Sequence, residues 1–171
     1  SSDLQIIASI PIGRGSSAVW SPDSNYLAIA ILEGDIIEIW DANTGTFVTT
    51  LEEYGGDINA LEWAGNTLYS MTFDGLLLVW DMTTYQYTYT FSIGGNDLEI
   101  SPNGDKLAIA SFFNIAILDL TTMTLESFPQ QEEQVLSLDW SPDGQKIASS
   151  SVDGKIQIWD LNNMNTPERI I

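Results

Sequence analysis

The stretch that decides the fold runs from Val135 to Asp160. It opens Val135-Leu136-Ser137-Leu138-Asp139-Trp140, turns at Ser141-Pro142-Asp143-Gly144, continues through Lys146 to Ser150, and turns again at Val152-Asp153-Gly154. It ends Lys155-Ile156-Gln157-Ile158-Trp159-Asp160. The first segment alternates apolar and polar residues as a strand with one more buried face does, and each turn carries the residues that tight turns use. Three antiparallel strands in a meander are the simplest reading.

The same pattern recurs at intervals of about 40 residues, which makes the repeat the unit of architecture. The third strands close at Trp40-Asp41, Trp80-Asp81, Leu118-Asp119 and Trp159-Asp160. Ser21-Pro22-Asp23-Ser24 and Ser101-Pro102-Asn103-Gly104 repeat the turn at Ser141, whereas the second repeat has Trp63-Ala64-Gly65-Asn66 there. Outer strands are read at Phe47 to Leu51, Gln86 to Phe91, Thr124 to Phe128 and Thr166 to Ile171, the second and third carrying Thr, Tyr and Phe that fit a pleated surface. The repeats span approximately 16–51, 57–91, 96–128 and 134–171, with Leu4 to Ile10 as an extra outer strand and no helix.

With Trp-Asp dipeptides, turns and spacing in agreement, the chain resembles the tryptophan-aspartate (WD) repeat β-propellers over nearly its whole length. The resemblance implies an all-β fold of four consecutive four-stranded antiparallel blades, half or part of a closed ring. In that family a Trp of the third strand, a Ser or Thr of the second, an Asp of the intervening turn and a His lock each blade. Carried over, Trp80, Thr72 and Asp74 match in the second repeat and Trp159, Ser151 and Asp153 in the fourth, with Trp40 marking the first. The histidine has no counterpart, since the chain contains none.

Composition narrows the function. The 171 residues hold 5 Lys plus Arg against 24 Asp plus Glu, a formal net charge of −19, which repels polyanions and makes nucleic acid an unexpected partner. Without histidine or cysteine the usual zinc and copper ligands are missing, together with the commonest general base near neutral pH. Neither Tyr26 to Leu32 nor the run from Leu107 to Leu118 is long enough for a membrane helix of about 20 residues, so a soluble chain is expected. Ser1-Ser2-Asp3 carries no basic and apolar leader, so any targeting segment is absent or removed. The compartment is not fixed by these residues, a cytoplasmic one agreeing best with them.

Among site candidates, Trp20, Trp63 and Trp140, which close the first strands, read as packing between sheets, as do Trp40, Trp80 and Trp159. Asp74-Gly75 and Asp153-Gly154 read as turns, and Asp41-Ala42-Asn43-Thr44-Gly45 lacks the distal glutamate and flanking helices of a calcium loop. No metal or cofactor is expected.

The resemblance also implies that the loops leaving the fourth strands and those between second and third strands share one rim. There stand Glu33, Asp35, Glu52, Glu53, Asp57, Asp74, Asp97, Glu132, Glu133 and Asp153, opposed by Arg14 and Lys155, with Tyr54, Phe73, Phe112 and Phe113 in or beside the same loops. Aromatic anchors ringed by charge suit an interface that binds a basic peptide or protein, while a merely solubilising acidic surface is the plain alternative.

The leading expectation is therefore a non-catalytic interaction scaffold. Its alternatives are a calcium- or carboxylate-dependent hydrolase-like propeller and a purely architectural, self-assembling one. For the open arc, either two chains close an eight-bladed ring, each lending Leu4 to Ile10 to its partner's last blade, or the chain is a fragment of a longer propeller. Pro167 lacks the amide a paired strand would use, which favours the borrowed strand.

Overall fold

The computed structural model describes residues 9, 14–32, 34–52, 56–129, 132–163 and 165–171. Sixteen strands form four sheets, each a consecutive antiparallel meander. The first blade comprises β1 (Gly15–Trp20), β2 (Tyr26–Ile31), β3 (Ile36–Asp41) and β4 (Thr46–Glu52). The second holds β5 (Ile58–Ala64), β6 (Thr67–Thr72), β7 (Leu77–Asp81) and β8 (Gln86–Phe91). In the third are β9 (Gly95–Ile100), β10 (Lys106–Ser111), β11 (Asn114–Asp119) and β12 (Thr124–Ser127). The fourth contains β13 (Val135–Trp140), β14 (Lys146–Ser151), β15 (Ile156–Asp160) and β16 (Arg169–Ile170). The expected extra strand, Leu4 to Ile10, lies outside the described residues apart from Ser9, which belongs to no strand.

Turn chemistry explains the spacing. At the first corner Ser21 Oγ donates to Asp23 Oδ1 at 2.7 Å and accepts from the Tyr26 amide at 2.8 Å. Ser141 repeats both bonds with Asp143 and Lys146. The aspartate of each Trp-Asp dipeptide caps the following turn: Asp41 Oδ1 accepts from the amides of Asn43 and Thr44, each at 2.9 Å. Asp119, after Leu118, does the same with Thr121 and Thr122, while Asp81 and Asp160 each accept from the amide two residues on. The Asp41 loop is thus a self-capped turn whose carboxylate is committed to backbone donors.

Sheet alternation sends one face of each middle strand to the preceding blade and the other to the next. Leu68, Leu78 and Trp80 join Ala28, Ile37 and Ile39 in the core between blades one and two. Tyr69, Met71 and Val79 turn the other way to meet Leu98, Leu107 and Ile109 of blade three. A third core places Ile115 and Phe128 against Trp140, Ile147 and Trp159 of blade four, with the Phe128 and Trp159 rings edge to face at 5.2 Å. The first strands of successive blades run side by side, so the four sheets fan out from them.

Two expectations are corrected here. Trp140 is 6% exposed, but Trp20 is 56% exposed: each first-strand tryptophan packs on the blade before it, and no described blade precedes the first. At the other end, β16 occupies the outer edge of the last blade, with Ile170 opposite Gln157 and Arg169 opposite Ile158. Pro167 stands before that pairing begins, so its missing amide costs no ladder bond, and the edge that a borrowed strand would take is filled.

Candidate functional site

A consecutive meander puts the β2–β3, β6–β7, β10–β11 and β14–β15 turns at the same end as the links between blades, and the Ser-Pro turns at the other. Close backbone approach shapes the first of these ends. A methyl group on Gly94 would lie 2.6 Å from Gly75 Cα and 3.0 Å from the Phe112 ring, and one on Gly95 would lie 2.3 Å from the Ala110 carbonyl oxygen. The link into blade three is therefore pressed onto the turn of blade two, and only glycine fits. Phe112 is half-buried in that contact, while Phe73 and Phe113 stand 55% and 49% exposed.

Most described carboxylates of this end make no internal bond. Asp35, Glu52, Asp57, Asp74, Glu132 and Glu133 make no side-chain hydrogen bond and no ion pair with another described residue. Asp153 is the exception: it accepts from Ser151 Oγ and pairs with Lys155 at 2.6 Å, and these bonds draw its carboxyl down to about 2. The Lys155 ammonium is in turn held above its usual range, first by Asp153 and also by Glu132 and Glu133. Glu33, Glu53 and Tyr54 lie outside the described residues.

Acidity is not confined to one end, as the sequence had suggested. Asp23, Asp41, Asp81, Asp119, Asp143 and Asp160 stand at the Ser-Pro end, but each accepts hydrogen bonds within its own turn. The two ends differ in commitment: carboxylates at one hold turns together, and those at the other, Asp153 apart, hold none among the described residues.

Asp97 belongs to neither rim. It sits inside β9, where Oδ2 accepts from Ser137 Oγ at 2.6 Å and from the Leu138 amide at 3.1 Å, tying β9 to β13. Beside it lies an acidic row absent from the sequence-derived set: Glu62 on β5, Glu99 on β9 and Asp139 on β13. Burial, then the charges of Glu99 and Asp97, push the Glu62 carboxyl up to about 7. Glu99 is raised by burial and by Asp97 and Asp139. The signal was present as Leu61-Glu62-Trp63, Leu98-Glu99-Ile100 and Leu138-Asp139-Trp140, one acid between two apolar residues near the end of three first strands.

The blade lock also differs from the carried-over assignment. Trp80 Nε1 donates to Ser70 Oγ at 2.9 Å and Trp159 Nε1 to Ser149 Oγ at 3.0 Å, in place of Thr72 and Ser151. Trp80 pairs opposite Leu68, so Ser70 is its diagonal neighbour, while Thr72 is a further two residues away. Thr72 Oγ1 instead accepts from the Leu76 amide at 3.2 Å. In blade one Ile29 replaces the serine, and Trp40 Nε1 donates to Glu38 at 2.9 Å.

Residues 123–160 match the family described as "WD domain, G-beta repeat". The fold agrees over far more: the Cps50 (Swd1) β-propeller domain of Myceliophteria thermophila superposes with a TM-score of 0.83 at 18% identity, covering 98% of this chain and 57% of that one. Its fold is that of a WD-repeat β-propeller. The small ribosomal subunit protein RACK1y of rice is 28% identical over 153 residues, 81% of this chain and 46% of that protein. Cell division cycle 20.5, cofactor of APC complex, of Arabidopsis thaliana is 27% identical over 155 residues, 80% and 32% respectively. The chain thus spans less than half of the length of these curated relatives. WD-repeat proteins generally act as protein-interaction scaffolds.

Proposed function

We propose that these WD40 blades form a non-catalytic interaction module whose acidic end recruits a basic peptide or protein surface. The observation that carries this reading is the set of six carboxylates with no hydrogen-bond or ion-pair partner among the described residues, at the same end as the exposed rings of Phe73 and Phe113. Unpaired surface charge of one sign steers an oppositely charged partner, and exposed aromatic rings supply the area that fixes it. A calcium-dependent hydrolase would need carboxylates converging on one point, and among the described residues no three acidic side chains do so. Replacing Glu52, Asp57, Glu132 and Glu133 with Lys should slow association with a basic peptide and flatten its dependence on salt. Association indifferent to those reversals would refute the reading and leave solubility as the role of the charge.

The partner proposal extends to the open arc. Trp20 at one end face and Ile156, 45% exposed, at the other are apolar surface of the kind that neighbouring blades cover elsewhere in the chain. A second copy joined head to tail would supply the missing half of an eight-bladed ring, without the strand exchange that β16 forestalls. Blades from elsewhere in a longer polypeptide are the competing source, and a stable monomer in sedimentation at micromolar concentration would overturn the dimer.

A further inference from the structure

At the Ser-Pro end, a cavity of about 290 Å³ opens between blades one and two. Its origin is a difference in turn length. Five residues join the first and second strands in blades one, three and four (21–25, 101–105 and 141–145), but only Gly65 and Asn66 do so in blade two. Where both turns are long they touch: a methyl group on Gly144 would sit 3.8 Å from Pro102 Cδ. Blade two, whose strands also pair one residue further at Ala64 and Thr67, is two residues shorter at this corner and leaves Pro22 without that neighbour, and a methyl group on Gly65 would meet nothing within 4 Å.

The side chains around the gap are chemically selective. Tyr26, Trp63 and Tyr85 present aromatic surface, Met82 and Ile39 supply apolar floor, and Asp23 stands at the blade-one wall, its oxygens accepting from Ser21 and Asn25 while its negative charge stays unpaired by any described cation. Tyr85 holds φ at +58°, where blade one has Gly45 at +67°. A bulky residue in that region is costly, and here its ring packs against the core between the two blades. Trp140 donates its indole N–H to the Glu99 carbonyl at 3.0 Å, whereas the Trp63 indole N–H makes no hydrogen bond to a described residue. From Gly15 to Asp105 the chain contains no lysine or arginine, so no internal cation competes for these rings from blades one and two.

The geometry points to a binding cavity for the arginine side chain of a partner peptide, in which the guanidinium meets the Tyr26, Trp63 and Tyr85 rings and the Asp23 carboxylate while the aliphatic stem covers Met82. A guanidinium is planar, stacks on aromatic faces and stays charged, which suits a cavity with three rings and one anion. The Trp63 N–H is then available to a carbonyl of the same peptide. The inference rests on the reading of the module as a binder of basic partners, but it uses the opposite end from the unengaged carboxylates.

The test follows the six indole N–H resonances by ¹H–¹⁵N spectroscopy during titration with N-acetyl-arginine N-methylamide, with the uncharged citrulline analogue in parallel. The Trp63 signal is assigned by its loss in Trp63→Phe. It should shift saturably, and citrulline should bind about fivefold or more weaker, the range expected for a cation on aromatic faces. Replacing Ala64-Gly65-Asn66 by the five residues Ser-Pro-Asp-Gly-Gln, which restores the six-residue spacing that blade four has between its paired Trp140 and Ile147, fills the gap and should abolish the shift. Asp23→Asn, which keeps the turn's acceptor, should weaken it in a folded protein. An unmoved Trp63 signal, an equal response to citrulline, or a shift that survives the longer turn would overturn the proposal. Reversal of Glu52, Asp57, Glu132 and Glu133 should leave the response saturable, so failure of the acidic end and failure of the cavity read out separately.

Discussion

At the scale of single residues, the lock between Trp80 and Ser70 is a buried hydrogen bond between a third-strand indole and the second strand. Ser70→Ala strands an indole N–H in the core, and a buried donor left without a partner costs about 1 to 3 kcal/mol. Thr72→Ala, at the position carried over from the family pattern, should leave that bond intact, and urea denaturation of the two variants should rank them in that order. Glu62 offers a test of sign. Its folded carboxyl is pushed up to about 7 from an ordinary 4.5, so the native state holds a proton that the unfolded state has released between those values. Stability from this group is therefore lost as pH rises from about 4.5 to 7 and stays lost above. Glu62→Gln should match the parent near pH 4 and exceed it in melting temperature at pH 8, and a variant no more stable at pH 8 would show that neither burial nor acidic neighbours penalise the Glu62 carboxylate. The lock was misplaced in the sequence because alternation along one strand does not say which diagonal neighbour an indole reaches. Glu62 was missed because its alternation with Leu61 and Trp63 reads as an ordinary solvated position, and only the neighbouring first strand turns it into a crowded one.

Among the elements, strands and turns were legible because each repeat carries its own punctuation. Gln86–Phe91 and Val135–Trp140 fall where alternation and Ser-Pro turns place them, and Asp41 caps its turn with donors two and three residues on. What a repeat cannot announce is which neighbour it lacks. Trp20 and Trp140 are equivalent in sequence, yet one packs on a preceding blade and the other does not. Trp140→Ala should cost about 3 to 5 kcal/mol, the range for removing a buried aromatic side chain. Trp20→Ala in the isolated chain should move the denaturation midpoint far less. Equal losses would mean that the first blade's outer face is covered.

For the whole molecule, the sequence made the net charge plain but not its division between ends, because a carboxylate that caps a turn and one that faces solvent are the same letter. That division is the central claim, and a matched pair of variants isolates it. One carries Glu52→Gln, Asp57→Asn, Glu132→Gln and Glu133→Gln. The other carries Asp41→Asn, Asp81→Asn, Asp119→Asn and Asp160→Asn, which retain a side-chain oxygen for their turns. Each removes four negative charges and takes the formal net charge from −19 to −15, so a partner that senses only total charge cannot tell them apart. The decisive measurement is the association rate of both with the same basic peptide at low salt. A several-fold slower rate for the first variant, with the second close to the parent, is the result this account predicts, and equal rates for the pair would contradict it.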